Sequence, residues 1–487
     1  MQVNRVVLLI AGAVALVLTV FASGYGYHRD ELYFVAAGHH LAWAYADQGP
    51  LIPLIARAMT EISPDSLTVL RIPSAVAAGV TVLLTGLLAR ELGGRRRAET
   101  IAAACAAVGV IVLFTGHLLE TSTFDLLGWT AITWLAIRAI RHGDRRLWLA
   151  AGLVLGVSLL NKPLPAFLAL GLVAGVAISG PRRLFREPYV WAAGAIALAL
   201  FSPWLIWQAQ HGWPQIDVSR SIAEGNSTSS QPWWAIVPFQ FLLISPLLAP
   251  VWIAGLVRLF RERDLRDVRF IAWAWVILAA VFMATGGKPY YLAGVLPALL
   301  GAGAVSVDRW VEAGKGRARF ALLAAALALS AVVDGVISLP VLPARDADAV
   351  VAMNGDVGET IGWPAFSRTV AAVYRNLPGS RRAVILTETY GEAGAIDRYG
   401  PVLGLPKAYS GHNAYGYWGP PPDGAAPVIA IGLDPKERAE QLSGCRAMAR
   451  VDNGVGIDND EQGTTVYVCA GPRRPWSSEW DSVRHLG

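Results

Sequence analysis

The segment Tyr25-Gly26-Tyr27-His28-Arg29-Asp30-Glu31-Leu32-Tyr33 follows directly on an apolar run, Val6 to Ala22. Read as a membrane helix, that run puts His28, Arg29, Asp30 and Glu31 at one face of a bilayer. Ionisable groups at that depth are costly unless they act on something or pair closely. More such groups are expected at the same face. They are the carboxylates Asp47, Glu120 and Asp125, the cations Lys162 and Lys288, and the hydroxyls of Tyr290 and Tyr291. A carboxylate offers a general base or a ligand for a divalent metal, and Asp30 and Glu120 are the metal candidates. Lysine and tyrosine donate to an anion such as a phosphate. Both sets together at a lipid surface point to transfer from a phosphate-linked lipid, with the transferred group left open.

Each residue also has a plainer reading. Asp30 and Glu31 could end a helix in water, and Glu120 and Asp125 could be loop charges. Lys162 and Lys288 could snorkel to head groups, and one of Tyr290 and Tyr291 could belong to an aromatic belt. His211 is a weak candidate of the same kind.

The elements that position these residues are membrane helices. The chain has 487 residues, 54% hydrophobic and only 16% charged, where a soluble domain carries nearer a quarter. Eleven spans are expected, at 4–22, 67–89, 99–116, 122–138, 147–160, 164–179, 189–207, 234–257, 270–285, 291–307 and 320–338. Five loops carry the arginines. They centre on Arg90 with Arg95–Arg97, Arg138–Arg146, Arg182–Arg186, Arg258–Arg269 and Arg309–Arg319, the last including Lys315. With eleven spans all five fall on one side, which the positive-inside rule makes cytoplasmic. The amino terminus is then cytoplasmic, in a multi-pass protein of the plasma (inner) membrane. The chemistry-bearing loops lie outside. Among them, the 30–46 segment reads as a surface helix, and Gly225–Ser230 reads as a mobile stretch.

Composition changes after Pro340. Residues 1–340 form the transmembrane domain, and 341–487 read as a small extracytoplasmic α/β domain. Its strands are expected at Ala383–Thr387, Val428–Ile431 and Thr465–Cys469, with a helix over Phe366–Leu377. Of the three cysteines, Cys105 lies in an apolar helix, whereas Cys445 and Cys469 lie in the tail, where an oxidising compartment lets them pair.

Five motifs in order carry a family resemblance. They are Arg29-Asp30-Glu31-Leu32-Tyr33, Asp47-Gln48-Gly49-Pro50-Leu51-Ile52-Pro53, Arg71-Ile72-Pro73-Ser74, Gly156 to Lys162, and Lys288 to Pro297. Over residues 1 to about 340 the chain resembles the family 39 glycosyltransferases of the GT-C fold, which include protein O-mannosyltransferases and aminoarabinose transferases. The resemblance implies an enzyme of the cell envelope that moves a sugar from a polyprenyl phosphate to an acceptor at the outer face of the membrane. It implies Asp30 as the catalytic carboxylate, and Lys288, Tyr290 and Tyr291 at the lipid-phosphate site. The chain departs from some relatives at Gln48, where they carry a lysine. The expected reaction is an inverting transfer with Asp30 as general base. Glu31 and Glu120 would orient Asp30 or the sugar, or help to hold a metal. The acceptor is a glycan, a lipid or a protein hydroxyl, and no nucleic-acid partner is expected. Two other classes compete with this reading: a transporter or flippase of lipid-linked sugars, and a glycan sensor anchored by its helices.

Overall fold

The computed structural model describes residues 3–227, 229–314, 316–378 and 382–487. Thr228, at the centre of the fourth outer loop, and Lys315, in the fifth basic loop, lie outside the described residues. Each of the eleven apolar segments is helical, but they are not eleven straight rods. Among the described residues, four helices have both the length and the apolarity to cross a bilayer alone: Leu67–Glu91, Pro188–Gln210, Pro289–Glu312 and Gly316–Ser338. Two further segments are bent pairs. Arg96–Ala107 meets Val110–His117 at 56°, and Trp233–Ile244 meets Pro246–Arg261 at 92°. Four more, Arg5–Phe21, Leu147–Leu159, Leu164–Ser179 and Phe270–Thr285, are apolar but shorter, and the eleventh, Thr121–His142, is long enough but less apolar. Large apolar side chains such as Leu9, Leu170, Trp191, Leu322 and Val332 point outward, as a lipid-facing surface requires.

The arginine-rich loops gather at one end of the bundle through ion pairs from loop to loop. Arg97 meets Asp308 and Glu312, Arg138 meets Glu91, Arg145 meets Glu187, and Arg309 meets Glu262. These pairs link all five basic loops. Helix Leu67–Glu91 carries Arg90 at this end and Arg71 toward the other. At 1.5 Å per residue the two are separated by about 28 Å, close to the thickness of a hydrocarbon core.

The far end is built from the first loop and the tail. The loop folds as two helices, Arg29–His39 and Leu51–Ile62. The fourth loop also holds a helix, Pro214–Ala223. In the tail, strands β1 (Val384–Thr387), β2 (Ala408–Ser410), β3 (Val428–Ile431), β4 (Leu442–Ser443), β5 (Arg446–Arg450), β6 (Thr465–Cys469) and β7 (Gly471–Pro472) form two sheets. The larger runs β2-β1-β3-β6-β5, and β4 pairs with β7. β1 is parallel to β2 and β3, whereas β6 is antiparallel to β3 and β5. Helices Trp363–Arg375 and Tyr390–Leu403 cover the larger sheet. Cys445 and Cys469 are bonded, with Cα atoms 3.8 Å apart.

One apolar core joins the two parts. Leu32, Tyr33, Phe34, Ile52 and Leu70 from the membrane part pack with Trp363, Phe366, Ile385, Ile396 and Ile429 from the tail. Close approach depends on two glycines at the start of helix Tyr390–Leu403. A Cβ at Gly391 would meet Arg29 Cβ at 2.8 Å, and one at Gly394 would meet Leu32 Cβ at 2.8 Å.

Candidate active site

Helix Arg29–His39 starts at a capping box that also sets the site. The Asp30 N–H donates to His28 Nδ1 at 3.2 Å, and the His28 N–H donates to Glu31 Oε2 at 2.8 Å. Glu31 is fully buried, and Arg71 grips both of its oxygens at 2.8 and 2.7 Å. Arg71 also donates to the carbonyls of Ala22 and Gly26, each at 2.7 Å, and the Leu119 N–H donates to Glu31 Oε1 at 2.8 Å. The pair therefore ties together the end of the first helix, the first loop, helix Leu67–Glu91 and the turn before Thr121.

The turn Asp47–Leu51 is docked on the turn before Lys162. The Gly49 N–H donates to Asn161 O at 3.0 Å, and the Leu51 N–H donates to Leu160 O at 3.1 Å. A Cβ on Gly49 would lie 2.0 Å from Leu160 O, so only glycine fits. Gln240 fixes the third piece, donating to Pro289 O at 2.9 Å beside Lys288.

These pieces enclose a cavity of about 1480 Å³. Its apolar part is walled by residues such as Ile111, Phe114, Phe167, Leu242, Phe282 and Val333. Its polar part gathers His28, Asp30, Asp47, Glu120, Lys162, Lys288, Tyr290 and Tyr291. Seven of the nine residues singled out as catalytic or substrate-binding thus line one space. Glu31 and Asp125 are not among the lining residues. Glu31 is saturated by the loop-holding bonds just described, and Asp125 accepts from Trp129 Nε1 at 3.1 Å. Gln48 lines the cavity and is almost wholly buried.

The electrostatics divide the groups. Burial works to raise the Asp30 carboxyl, but the charges of His28, Arg29 and Lys288 and a bond from the Tyr390 hydroxyl outweigh it and hold the group below its ordinary value. Burial lowers His28, so at neutral pH Arg29 and Lys288 carry the electrostatic share of that effect. Glu120 is pushed well up by burial and by the neighbouring charges of Asp30, Asp356 and Glu31. Asp47 is raised to about 6 by burial, although it accepts from the Tyr33 hydroxyl at 2.6 Å and from Asn413 Nδ2 at 3.2 Å. Lys288 is pushed down to about 8 by burial, with repulsion from Lys162 adding to it. Lys162 Nζ lies over the rings of Tyr290 and Tyr291, 5.8 and 5.7 Å from their centroids. Among the described residues, His28, Asp30 and Glu120 bring their ligand atoms within 4.8 Å of one another.

The tail supplies a roof over the cavity. Asp356, Tyr390, His412 and Glu461 line it. No sequence pattern marked them, because they are scattered through a stretch that reads only as a small α/β domain. The one local signal was Thr389-x-x-Glu392, the capping box that starts helix Tyr390–Leu403.

The chain is similar to known proteins in part of its sequence and in its fold. Residues 47–207 match the family model described as dolichyl-phosphate-mannose-protein mannosyltransferase. The undecaprenyl phosphate-alpha-4-amino-4-deoxy-L-arabinose arabinosyl transferase 1 of Pseudomonas fluorescens is 27% identical over 271 residues, 52% of this chain and 47% of that protein. The chain spans about half the length of the curated relatives it matches. Crystal structures of ArnT from Cupriavidus metallidurans, apo and bound to undecaprenyl phosphate, superpose with TM-scores of 0.61 and 0.60. Each is 15% identical and covers 96% of this chain and 99% of that one. The archaeal oligosaccharyltransferase AglB from Archaeoglobus fulgidus gives 0.50 at 14% identity, over 81% of this chain and 63% of its own. The chain therefore shares the GT-C fold of these membrane glycosyltransferases.

Proposed function

We propose that the chain is an inverting glycosyltransferase that moves a sugar from a polyprenyl phosphate to an acceptor hydroxyl. The observation that carries this reading is one cavity with an apolar wall for a lipid chain and a polar end holding Asp30 with Lys162 and Lys288. Asp30 takes the proton of the acceptor hydroxyl, whose oxygen attacks the anomeric carbon. The bond from that carbon to the phosphate oxygen breaks, and the polyprenyl phosphate leaves with its electrons. Lys288, Lys162 and Tyr290 stabilise the charge growing on the phosphate, and such preorganised donors are often the largest catalytic term. The names of the curated relatives favour a 4-amino-4-deoxy-L-arabinose donor on undecaprenyl phosphate. A flippase reading has no observation in its favour. The test is to give purified protein a panel of radiolabelled polyprenyl-phosphate sugars, with aminoarabinose and mannose among them. Transfer with release of the carrier phosphate supports the reading, and transport without release overturns it.

The topology belongs to the same reading. Eleven crossings, with the linked basic loops in the cytoplasm, put the amino terminus inside and residues 341–487 outside. Reporter fusions after residues 94 and 345 should then report opposite sides.

Asp30 and Glu120 would hold a divalent cation. The two carboxylates fit one, because a buried Glu120 needs a nearby positive charge to stay ionised, whereas the His28 Nδ1 beside it already accepts from the Asp30 N–H. A bound cation would supply charge neutralisation beside the leaving phosphate. Metal analysis of wild type should find bound metal, and Glu120→Gln should lose it. Equal content in both would remove Glu120 from the site.

A pH dependence follows from Lys288. The lysine is cationic below its pKa, so its attraction for the donor phosphate is present at neutral pH and lost as pH rises through about 8. The KM for the donor should climb by up to about tenfold per pH unit above that point. Lys288→Arg, charged throughout, should flatten the rise. A KM that stays level to about pH 9.5 would remove Lys288 from the phosphate site.

A further inference from the structure

We propose that Tyr390, carried by the tail, is a positioning residue for Asp30, so that the catalytic centre is completed only by the extramembrane domain. The inference rests on the reading of Asp30 as the base. The Tyr390 hydroxyl donates to Asp30 Oδ1 at 2.7 Å, across 360 residues of chain. The tyrosine ring is itself held rigidly. It stacks on Tyr33 with centroids 4.7 Å apart and meets the His412 ring at 4.6 Å. Its N–H faces His412 Nδ1 at 3.4 Å. Tyr33 in turn donates to Asp47 and accepts from the Ala414 N–H at 3.3 Å, so the stack is fixed from both domains. The glycine contacts of Gly391 and Gly394 bring the start of helix Tyr390–Leu403 down onto helix Arg29–His39, within reach of the carboxylate.

The physical consequence is orientation. A free aspartate can rotate about its side-chain bonds, and only part of that ensemble presents an oxygen to the acceptor. With Oδ1 fixed by Tyr390, Oδ2 is left for the reacting proton. A buried hydrogen bond to a charged group is strong enough that its loss should cost about tenfold or more in turnover.

The test is a double-mutant cycle on the full-length protein in detergent, using whichever polyprenyl-phosphate sugar of the panel is turned over. Tyr390→Phe keeps the ring, the Tyr33 stack and the packing. It should lower kcat about tenfold to a hundredfold with the donor KM and thermal midpoint near wild type. In an Asp30→Asn background the same change should have no further effect, because the group it positions is gone. Tyr415→Phe removes another buried tyrosine hydroxyl of the same domain, one bonded to Asp397 at 2.8 Å, and should leave kcat near wild type. Gly394→Ala retains every side chain at the centre but pushes the two helices apart. It should lower kcat too, and it serves if Tyr390→Phe folds poorly. Full turnover in both Tyr390→Phe and Gly394→Ala, with Asp30→Asn dead, overturns this proposal alone. A fall of equal size with and without Asp30 reduces Tyr390 to a structural role and also overturns it. An Asp30→Asn protein with full turnover overturns the reading of the base, and this proposal with it. A wild type that turns over no member of the panel overturns both.

Discussion

Asp30→Asn should lower turnover by a factor of about 10²–10⁴ while the donor KM stays near wild type. The substitution keeps the size of the side chain and its place at the start of helix Arg29–His39, so what is lost is the carboxylate charge, which serves proton acceptance and would help to hold a cation. A hydroxyl acceptor is a poor nucleophile until its proton has somewhere to go. The other carboxylates of the cavity are poorly suited to receive it. Asp47 already accepts from Tyr33 and Asn413, and Glu120 tends toward the protonated form. Of these three, Asp30 is the one whose surroundings favour the ionised form, and the Tyr390 hydroxyl bonds its Oδ1. The measurement is a donor-saturation curve for each protein, with thermal unfolding as the control for folding. If Asp30→Asn turns over at near the wild-type rate, the base is elsewhere, and Glu120 becomes the candidate, because Glu31 has no free lone pair facing the cavity.

Much of this site was legible in the sequence because membrane chemistry makes polar residues conspicuous. Asp30, Glu120, Lys162, Lys288 and Tyr290 each interrupt or flank an apolar run, and each lines the cavity. The sequence could not separate Asp30 from Glu31. Adjacent residues on a helix point about 100° apart, so one faces the cavity while its neighbour enters the core. Which is which depends on Arg71, forty residues away. The first-loop helix was expected to run to residue 46 but ends at His39. There the Tyr45 hydroxyl accepts from the Ala42 N–H and donates toward the carbonyls of Ala37 and His40, satisfying the helix end. The break in segment 234–257 sits at Ser245-Pro246, where proline cannot continue a helix and Ser245 takes a positive φ of 109°. The strands at Val384, Val428 and Thr465 announced themselves as short apolar runs. The strand Arg446–Arg450 did not, because it is an edge with mostly exposed side chains. Tyr390 and His412 could not be found at all, since their role exists only once the tail folds over the first loop.

The largest loss of stability should come from Arg71, which touches no part of the cavity. Arg71→Met leaves Glu31 buried with its guanidinium gone, while the two remaining donors, the N–H groups of His28 and Leu119, offset only part of a full negative charge. Breaking a buried pair in this way costs about 3–5 kcal/mol. Arg71→Lys should rescue little of it. The guanidinium reaches both oxygens of Glu31 and the carbonyls of Ala22 and Gly26 at once, and an ammonium has neither the fork nor the number of donors. Removing the charge as well, in Arg71→Met with Glu31→Leu, should recover a large share of the stability, because no unpaired ion is then left in the core. Turnover should not recover with it. The carboxylate of Glu31 also completes the capping box that orients His28 and the first turn bearing Asp30, so the repaired protein should be stable and slow. Unfolding midpoints and kcat measured on the same three variants separate the two effects. A double variant that regains both would mean that the pair holds the fold together without setting the geometry of Asp30.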